Sequence, residues 1–145
     1  ERLAARQIPV LQINTEGACH LDANMIAAAV RELRLDGVTL LLIENVGNLV
    51  CTAGFDLGEH LRLVLLSVPE GDDKLVKYPT IFQSADAVIV TKADLAPHFD
   101  FRLDRVRADL RKLGNEGPVF AVSDRTGEGM DQLLSWFAGR LPDRE

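Results

Sequence analysis

The run Val38-Thr39-Leu40-Leu41-Leu42-Ile43, closed by Glu44-Asn45-Val46-Gly47-Asn48-Leu49-Val50-Cys51, constrains this chain more than any other feature. A short, solid apolar stretch with β-branched residues reads as a strand buried on both faces, as in a parallel sheet. An acid at its end, with a glycine and a cysteine close behind, reads as a ligand-handling loop. Open α/β sheets bind ligands beyond the carboxyl ends of their strands.

The rest of the chain repeats a strand-then-helix alternation. Strands are expected at residues 8–14, 38–43, 61–68, 87–90 and 118–122. Ile26, Ala29, Val30 and Leu33 recur at helical spacing and predict a helix over 22–35. A short helical piece is expected around 80–84, and Tyr78-Pro79 marks a helix boundary. Leu103, Val106, Leu110 and Leu113 make a second stripe, with Asp104, Arg105, Arg107, Asp109, Arg111 and Lys112 on the solvated side. Met130, Leu133, Leu134, Phe137 and Leu141 make a third, on which Trp136 and Phe137 are expected to pack. The fold class is therefore α/β, a mostly parallel sheet flanked by helices.

Composition narrows the function. At 145 residues the chain is read as one domain, 1–145, large enough to bury a core. A net charge of −6 argues against a nucleic-acid surface. No run approaches the roughly 18 apolar residues of a membrane span, and the start lacks the apolar segment of a signal peptide. Two cysteines without a disulfide framework suit a reducing, cytoplasmic home. The first residue is not Met, so the chain is expected to be a piece of a longer polypeptide.

Candidate chemistry falls at expected strand ends. Thr91-Lys92-Ala93-Asp94 follows Ala87-Val88-Ile89-Val90. A carboxylate there can accept hydrogen bonds from guanine N1–H and N2–H₂, which adenine does not offer, while the Lys stem packs along the base or ribose. Alone, the pattern would be an exposed turn; its place at a strand end favours base reading. Ser123-Asp124-Arg125-Thr126-Gly127-Glu128-Gly129 follows the last expected strand. Its backbone N–H groups can face guanine O6, and Thr126 or Glu128 can cap the last helix. Cys19-His20 and Cys51 carry thiols and an imidazole, the usual ligands of Zn²⁺ or Ni²⁺. Three such ligands are one short of a closed tetrahedral site, so water or a partner chain completes it. Asp22 is a candidate cap for the following helix. The segment Glu70-Gly71-Asp72-Asp73-Lys74 reads as a solvated turn, and His60 and His98 as surface residues.

These segments carry a resemblance. LQINTEGACHLDA (11–23), ENVGNLVC (44–51), SVPEGDDK (67–74), TKADLA (91–96) and TGEGM (126–130) resemble the hydrogenase nickel-incorporation GTPases, the HypB family, in order and over nearly the whole chain. The resemblance implies a P-loop GTPase-like fold of the nickel-delivery branch. It implies GTP/GDP, Mg²⁺ and Ni²⁺ or Zn²⁺ as ligands, and a homodimer formed on nucleotide binding. Implied partners are the hydrogenase large subunit and a zinc-containing nickel-insertion accessory protein. Metal ligands map onto Cys19, His20 and Cys51, near the dimer interface. Guanine contacts map onto Lys92 and Asp94, with Thr91 in place of the commoner Asn, and onto Ser123, Asp124 and Arg125, where Asp124-Arg125 departs from the usual Ala-Lys. Glu44 and Gly47 map onto the catalytic switch that senses the γ-phosphate and Mg²⁺.

One element of that family is absent from these residues: no G-x-x-x-x-G-K-[ST] occurs. That loop supplies the phosphate nest, the Lys and the Mg²⁺ hydroxyl. The expectation is the C-terminal part of a GTPase domain without its P-loop, inactive in hydrolysis by itself. Two other classes stand beside this reading. A urease-accessory metallochaperone GTPase is disfavoured because its metal motif is Cys-Pro-His, whereas Cys19 and His20 are adjacent. A non-catalytic metal-binding or interaction module would follow if the P-loop never existed.

Overall fold

The computed structural model describes residues 3–141 and divides into two compact units, one ending at Glu59 and the other beginning at His60. The second unit holds the sheet. Strands β1 (Leu63–Ser67), β2 (Ala87–Thr91) and β3 (Val119–Ala121) run parallel in the order β1-β2-β3. The register pairs Leu63 with Ala87 through Ser67 with Thr91, and Val88 with Val119 through Val90 with Ala121. Between β1 and β2 lie two short helices, residues Lys74–Lys77 and Pro79–Gln83. Pro79 opens the second of them, as the Tyr78-Pro79 boundary predicts. A longer helix, Leu103–Lys112, joins β2 to β3, and a last one, Met130–Ala138, follows β3.

Central strand β2 is buried on both faces through Ala87, Val88, Ile89 and Val90. Successive strand residues point to opposite faces, so Ile89 and Val90 serve different layers. Ile89 packs with Val122 and Leu133, and Leu63, Phe120, Met130 and Phe137 close around them. On the other parity Val64, Leu66, Val88 and Val90 are buried, as are Leu75, Phe82, Val106 and Leu110 of the intervening helices. Trp136 meets Phe120 and Phe137 edge-on and carries the Arg140 guanidinium over its ring. Leu134, expected on the same stripe, is instead exposed.

Among its described residues the first unit contains one α-helix, Ala23–Glu32, with Ile26 and Ala29 buried. It is begun by Asp22, whose carboxylate accepts the Met25 N–H at 2.9 Å. Residues 8–14 and 38–43, read as strands from their apolar runs, have no ladder assigned. Ile8, Val10, Leu40, Leu41 and Leu42 are exposed, Leu42 by 72%. A strand requires a hydrogen-bonding neighbour, which an apolar pattern cannot itself supply. Among the described residues no helix is long and apolar enough to cross a membrane.

Two charged residues also depart from the sequence expectation. Asp72, read as part of a solvated turn, is only 5% exposed. It accepts the Arg102 N–H at 3.1 Å and the Arg105 guanidinium at 2.9 Å. Asp109, placed on the solvated helix face, is buried beside Lys112 at 2.7 Å and Arg105 at 3.7 Å. Buried carboxylates need such partners, and both find them on one helix or its entry.

Candidate metal centre and base-reading loops

In the first unit two polar turns meet. The Cys19-His20-Leu21 segment leads into the helix begun by Asp22, and the Asn45–Cys51 segment leads into a short 3₁₀ turn, Cys51–Gly54. Asn48 joins them. Its side-chain N–H₂ donates to the Cys19 carbonyl at 2.5 Å. Its side-chain oxygen accepts the Cys51 N–H at 2.8 Å and the Val50 N–H at 3.2 Å. Asn45 makes a second tie, its oxygen accepting the Leu21 N–H at 3.0 Å and the Val46 N–H at 2.8 Å. Leu21 is buried and anchors the segment from below. Neither asparagine stands out in a search for metal or catalytic residue types. For Asn48 the local signal is an Asx turn, its oxygen accepting the N–H groups two and three residues on; the Asn45 tie to Leu21 has no local signal.

These ties gather the expected ligands. Hydrogen bonding to Cys19 holds the Cys51 thiol above its usual range, with partial burial and the charge of Cys19 acting in the same direction. Cys19 Sγ lies 3.7 Å from His20 Nδ1. The His20 ring stacks on Phe55, centroids 3.6 Å apart and planes within 12°. Both cysteines are free. Among the described residues no group of three or more His, Cys, Asp and Glu side chains is gathered closely enough to hold a metal ion as it stands. The arrangement is thus an open, partial set whose donor chemistry, two thiols and an imidazole, suits a soft or borderline divalent cation. Glu44 lies exposed at the end of residues 38–43, and Gly47 sits between the two asparagines, where the Asn48 N–H donates to the Val46 carbonyl at 2.7 Å.

In the second unit the two segments expected to read a base come together at the carboxyl ends of β2 and β3. Thr91 is the last paired residue of β2. Lys92 then takes the left-handed conformation, φ 57° and ψ 42°, uncommon for a residue with a Cβ. This turns the chain sharply into the 3₁₀ segment Ala93–His98, which contains Asp94. The Ala93 N–H donates to the Val122 carbonyl at 3.0 Å, tying this turn to the loop after β3.

That loop is built around Ser123, which has no exposed surface. The Ser123 N–H donates to the Glu128 carbonyl, its own carbonyl accepts the Gly127 N–H, and its hydroxyl accepts the Thr126 N–H at 3.2 Å. Asp124 and Arg125 ride on the exposed tip. The last helix is entered through Gly129 with no side-chain cap, so neither Thr126 nor Glu128 caps it. Thr126 instead accepts the Glu128 N–H at 3.3 Å within the turn. His60 and His98 are exposed, as expected.

No protein-family model matches the chain. Similar proteins are nonetheless found. The hydrogenase/urease maturation factor HypB of Helicobacter hepaticus is 49% identical over 137 residues, covering 92% of this chain and 57% of that protein. Among solved structures, HypB from Helicobacter pylori in complex with nickel superposes with a TM-score of 0.88 at 42% identity, covering 96% of this chain and 66% of that one. The hydrogenase maturation factor HypB from Archaeoglobus fulgidus gives a TM-score of 0.88 at 37% identity, covering 96% of this chain and 68% of that one. The chain spans about half the length of the curated relatives it matches.

Proposed function

This chain belongs to the HypB family of hydrogenase maturation factors, and we propose from that premise that it is the nickel-holding and guanine-reading part of a GTP-dependent metallochaperone. Nickel is its cargo, held by Cys19, His20 and Cys51 and passed on to an apo-[NiFe]-hydrogenase. The observation that supports this best is the tie of Asn48 to both cysteine-bearing segments. It joins the backbones of the segments that carry the two thiols and the imidazole. A set left short of four ligands suits a metal that must be released. Water or the partner chain of a nucleotide-dependent homodimer supplies the remaining ligand.

Guanine recognition falls to Asp94 as the hydrogen-bond acceptor and Lys92 as the packing stem. Thr91 and the Ser123-Asp124-Arg125 loop complete the edge. The left-handed turn at Lys92 and its tie to Val122 support this reading, because they fix both segments in one orientation. Glu44 and Gly47 are read as the switch residues toward the γ-phosphate and Mg²⁺. In the complete protein, nucleotide binding drives dimerisation and hydrolysis resets it. The partners are then the hydrogenase large subunit and a zinc-containing nickel-insertion protein, and the setting is the cytoplasm. The name of the Helicobacter hepaticus relative pairs hydrogenase with urease, which makes apo-urease the control client.

The test is titration of the purified chain with Ni²⁺ and with Zn²⁺, beside Cys51→Ala. A thiolate-to-nickel charge-transfer band in the parent that Cys51→Ala abolishes is the expected result. A folded parent that shows no such band would overturn the ligand assignment.

A further inference from the structure

We infer that Asn48 is a positioning residue for the metal centre, holding the Cys19-His20 turn against the Cys51 turn so that the thiols are gathered before the metal arrives. The inference rests on the reading of Cys19, His20 and Cys51 as ligands. A carboxamide is suited to this task because it carries donors and an acceptor on one rigid plane. Asn48 uses both at once: its N–H₂ reaches the Cys19 carbonyl, and its oxygen takes the Cys51 and Val50 N–H groups. The two cysteine segments are thereby joined through a single side chain, between residues 29 apart in sequence. The main chain of Asn48 is itself fixed, since the buried Thr52 hydroxyl donates to its carbonyl at 2.6 Å.

Asn45 adds a parallel tie to Leu21, on the far side of His20. Phe55 holds the His20 ring by stacking. The Cys19-His20 turn is therefore pinned at both ends, while the ligand atoms themselves stay accessible. Gathering ligands in advance removes the ordering cost that binding would otherwise carry. Groups behind the ligands commonly act this way in metal sites. The same turn that carries Glu44 and Gly47 thus carries the two asparagines, so a shift of that turn would move Cys51 relative to Cys19.

The discriminating variant is Asn48→Ser. Its hydroxyl can still accept the Cys51 N–H within the turn, but it is too short to reach the Cys19 carbonyl. Asn48→Asp, which keeps the acceptor, loses the donor and adds a negative charge, serves if Asn48→Ser loses its helical circular dichroism, with the metal-free disulfide equilibrium as its deciding readout. Two readouts are taken on the full 145-residue chain. The first is Ni²⁺ affinity by competition with a chelator, together with the charge-transfer spectrum. The expected result is an affinity lowered about ten- to hundredfold, with the band energy unchanged because the ligands are unchanged. The second needs no metal. In glutathione buffers, Cys19 and Cys51 form one disulfide as one glutathione disulfide is reduced to two glutathione thiols. That equilibrium reads the effective concentration of one thiol at the other.

Asn48→Ser is expected to lower the effective concentration by roughly tenfold or more, as for groups released from a fixed geometry. A variant equal to the parent in both readouts overturns the inference. If the parent itself shows no thiolate band, the ligand reading fails. The positioning role is then decided by the disulfide equilibrium, where an unchanged effective concentration overturns it.

Discussion

A Cβ placed on Gly129 would fall inside the van der Waals shell of the Ala121 carbonyl oxygen. Gly129 also sits at φ 70°, where a side chain is strained whatever the space around it. It ends the Ser123 loop and opens the last helix, so the close approach sets where that loop stands against β3.

Gly129→Ala is expected to destabilise the fold by about 2–4 kcal/mol, combining roughly 1–2 for the left-handed backbone with the cost of overpacking. Gly127→Ala is the control: its φ is 81°, but nothing lies within 4 Å of its added Cβ. It should cost only about 1–2 kcal/mol. Urea unfolding of both variants checks the pair, and equal losses would show that the contact with Ala121 is not decisive.

Asp72→Ala removes the acceptor shared by the Arg102 N–H and the Arg105 guanidinium. Arg105 is partly exposed, so water compensates that half. The Arg102 N–H bond is part-buried, so water replaces it less well, and a loss of about 1–3 kcal/mol follows. Thermal unfolding reads it; a shift within error would mean that water replaces both bonds.

For Asp94→Asn the expected loss is in base selectivity. Hydrogen bonds to a charged group contribute about 1.5–3 kcal/mol, so GDP affinity should fall roughly ten- to hundredfold while ADP affinity stays level. Calorimetric titration with both nucleotides reads the ratio. An unchanged ratio would remove Asp94 from the base-reading edge.

The purified 145-residue chain is expected to release no phosphate from GTP above background, since its sequence contains no G-x-x-x-x-G-K-[ST]. Positioning and charge stabilisation at the phosphates are most of what a GTPase contributes to the reaction. Turnover that copurifies with the chain and disappears in Asp94→Asn would contradict this.

Asp73, at the N-cap of the Lys74–Lys77 helix, lies 2.6 Å from Lys77 at its end, and the pair gives a pH signature. The hydrogen bond from Lys77 holds Asp73 below the ordinary carboxylate value of 3.8, and the same bond holds Lys77 above the ordinary amine value of 10.5. A lowered carboxylate stabilises above its unfolded value and loses that contribution as pH falls through its folded value. A raised amine stabilises below its unfolded value and loses it as pH rises through its folded value. The melting-temperature difference between parent and Asp73→Asn should thus be small and flat from pH 5 to about pH 10, and should shrink outside that window. A slope near neutrality would point to another titrating group.

Much of the second unit was legible because its information is local. The solid Ala87–Val90 run became a strand buried on both faces, and the spacing of Val106 and Leu110 became the buried stripe of a helix. The thiols, the imidazole and the Thr91-Lys92-Ala93-Asp94 turn were visible because chemistry resides in residue type. Residues 38–43 misled for the complementary reason: their apolar pattern is strand-like, but no ladder forms on them among the described residues.

The sequence by itself determined the α/β alternation of the second unit, and it supplied the residue types that are candidates for holding a metal and reading a base, since each of these is written in local residues. Only the tertiary structure decided that Asn48 would join Cys19 to Cys51, that Asp72 and Asp109 would be buried, and that Leu134 would face solvent. Those outcomes depend on which distant backbone groups arrive beside a side chain. Burial and hydrogen bonding across the chain are properties of the packed whole, and no period of 2 or 3.6 encodes them.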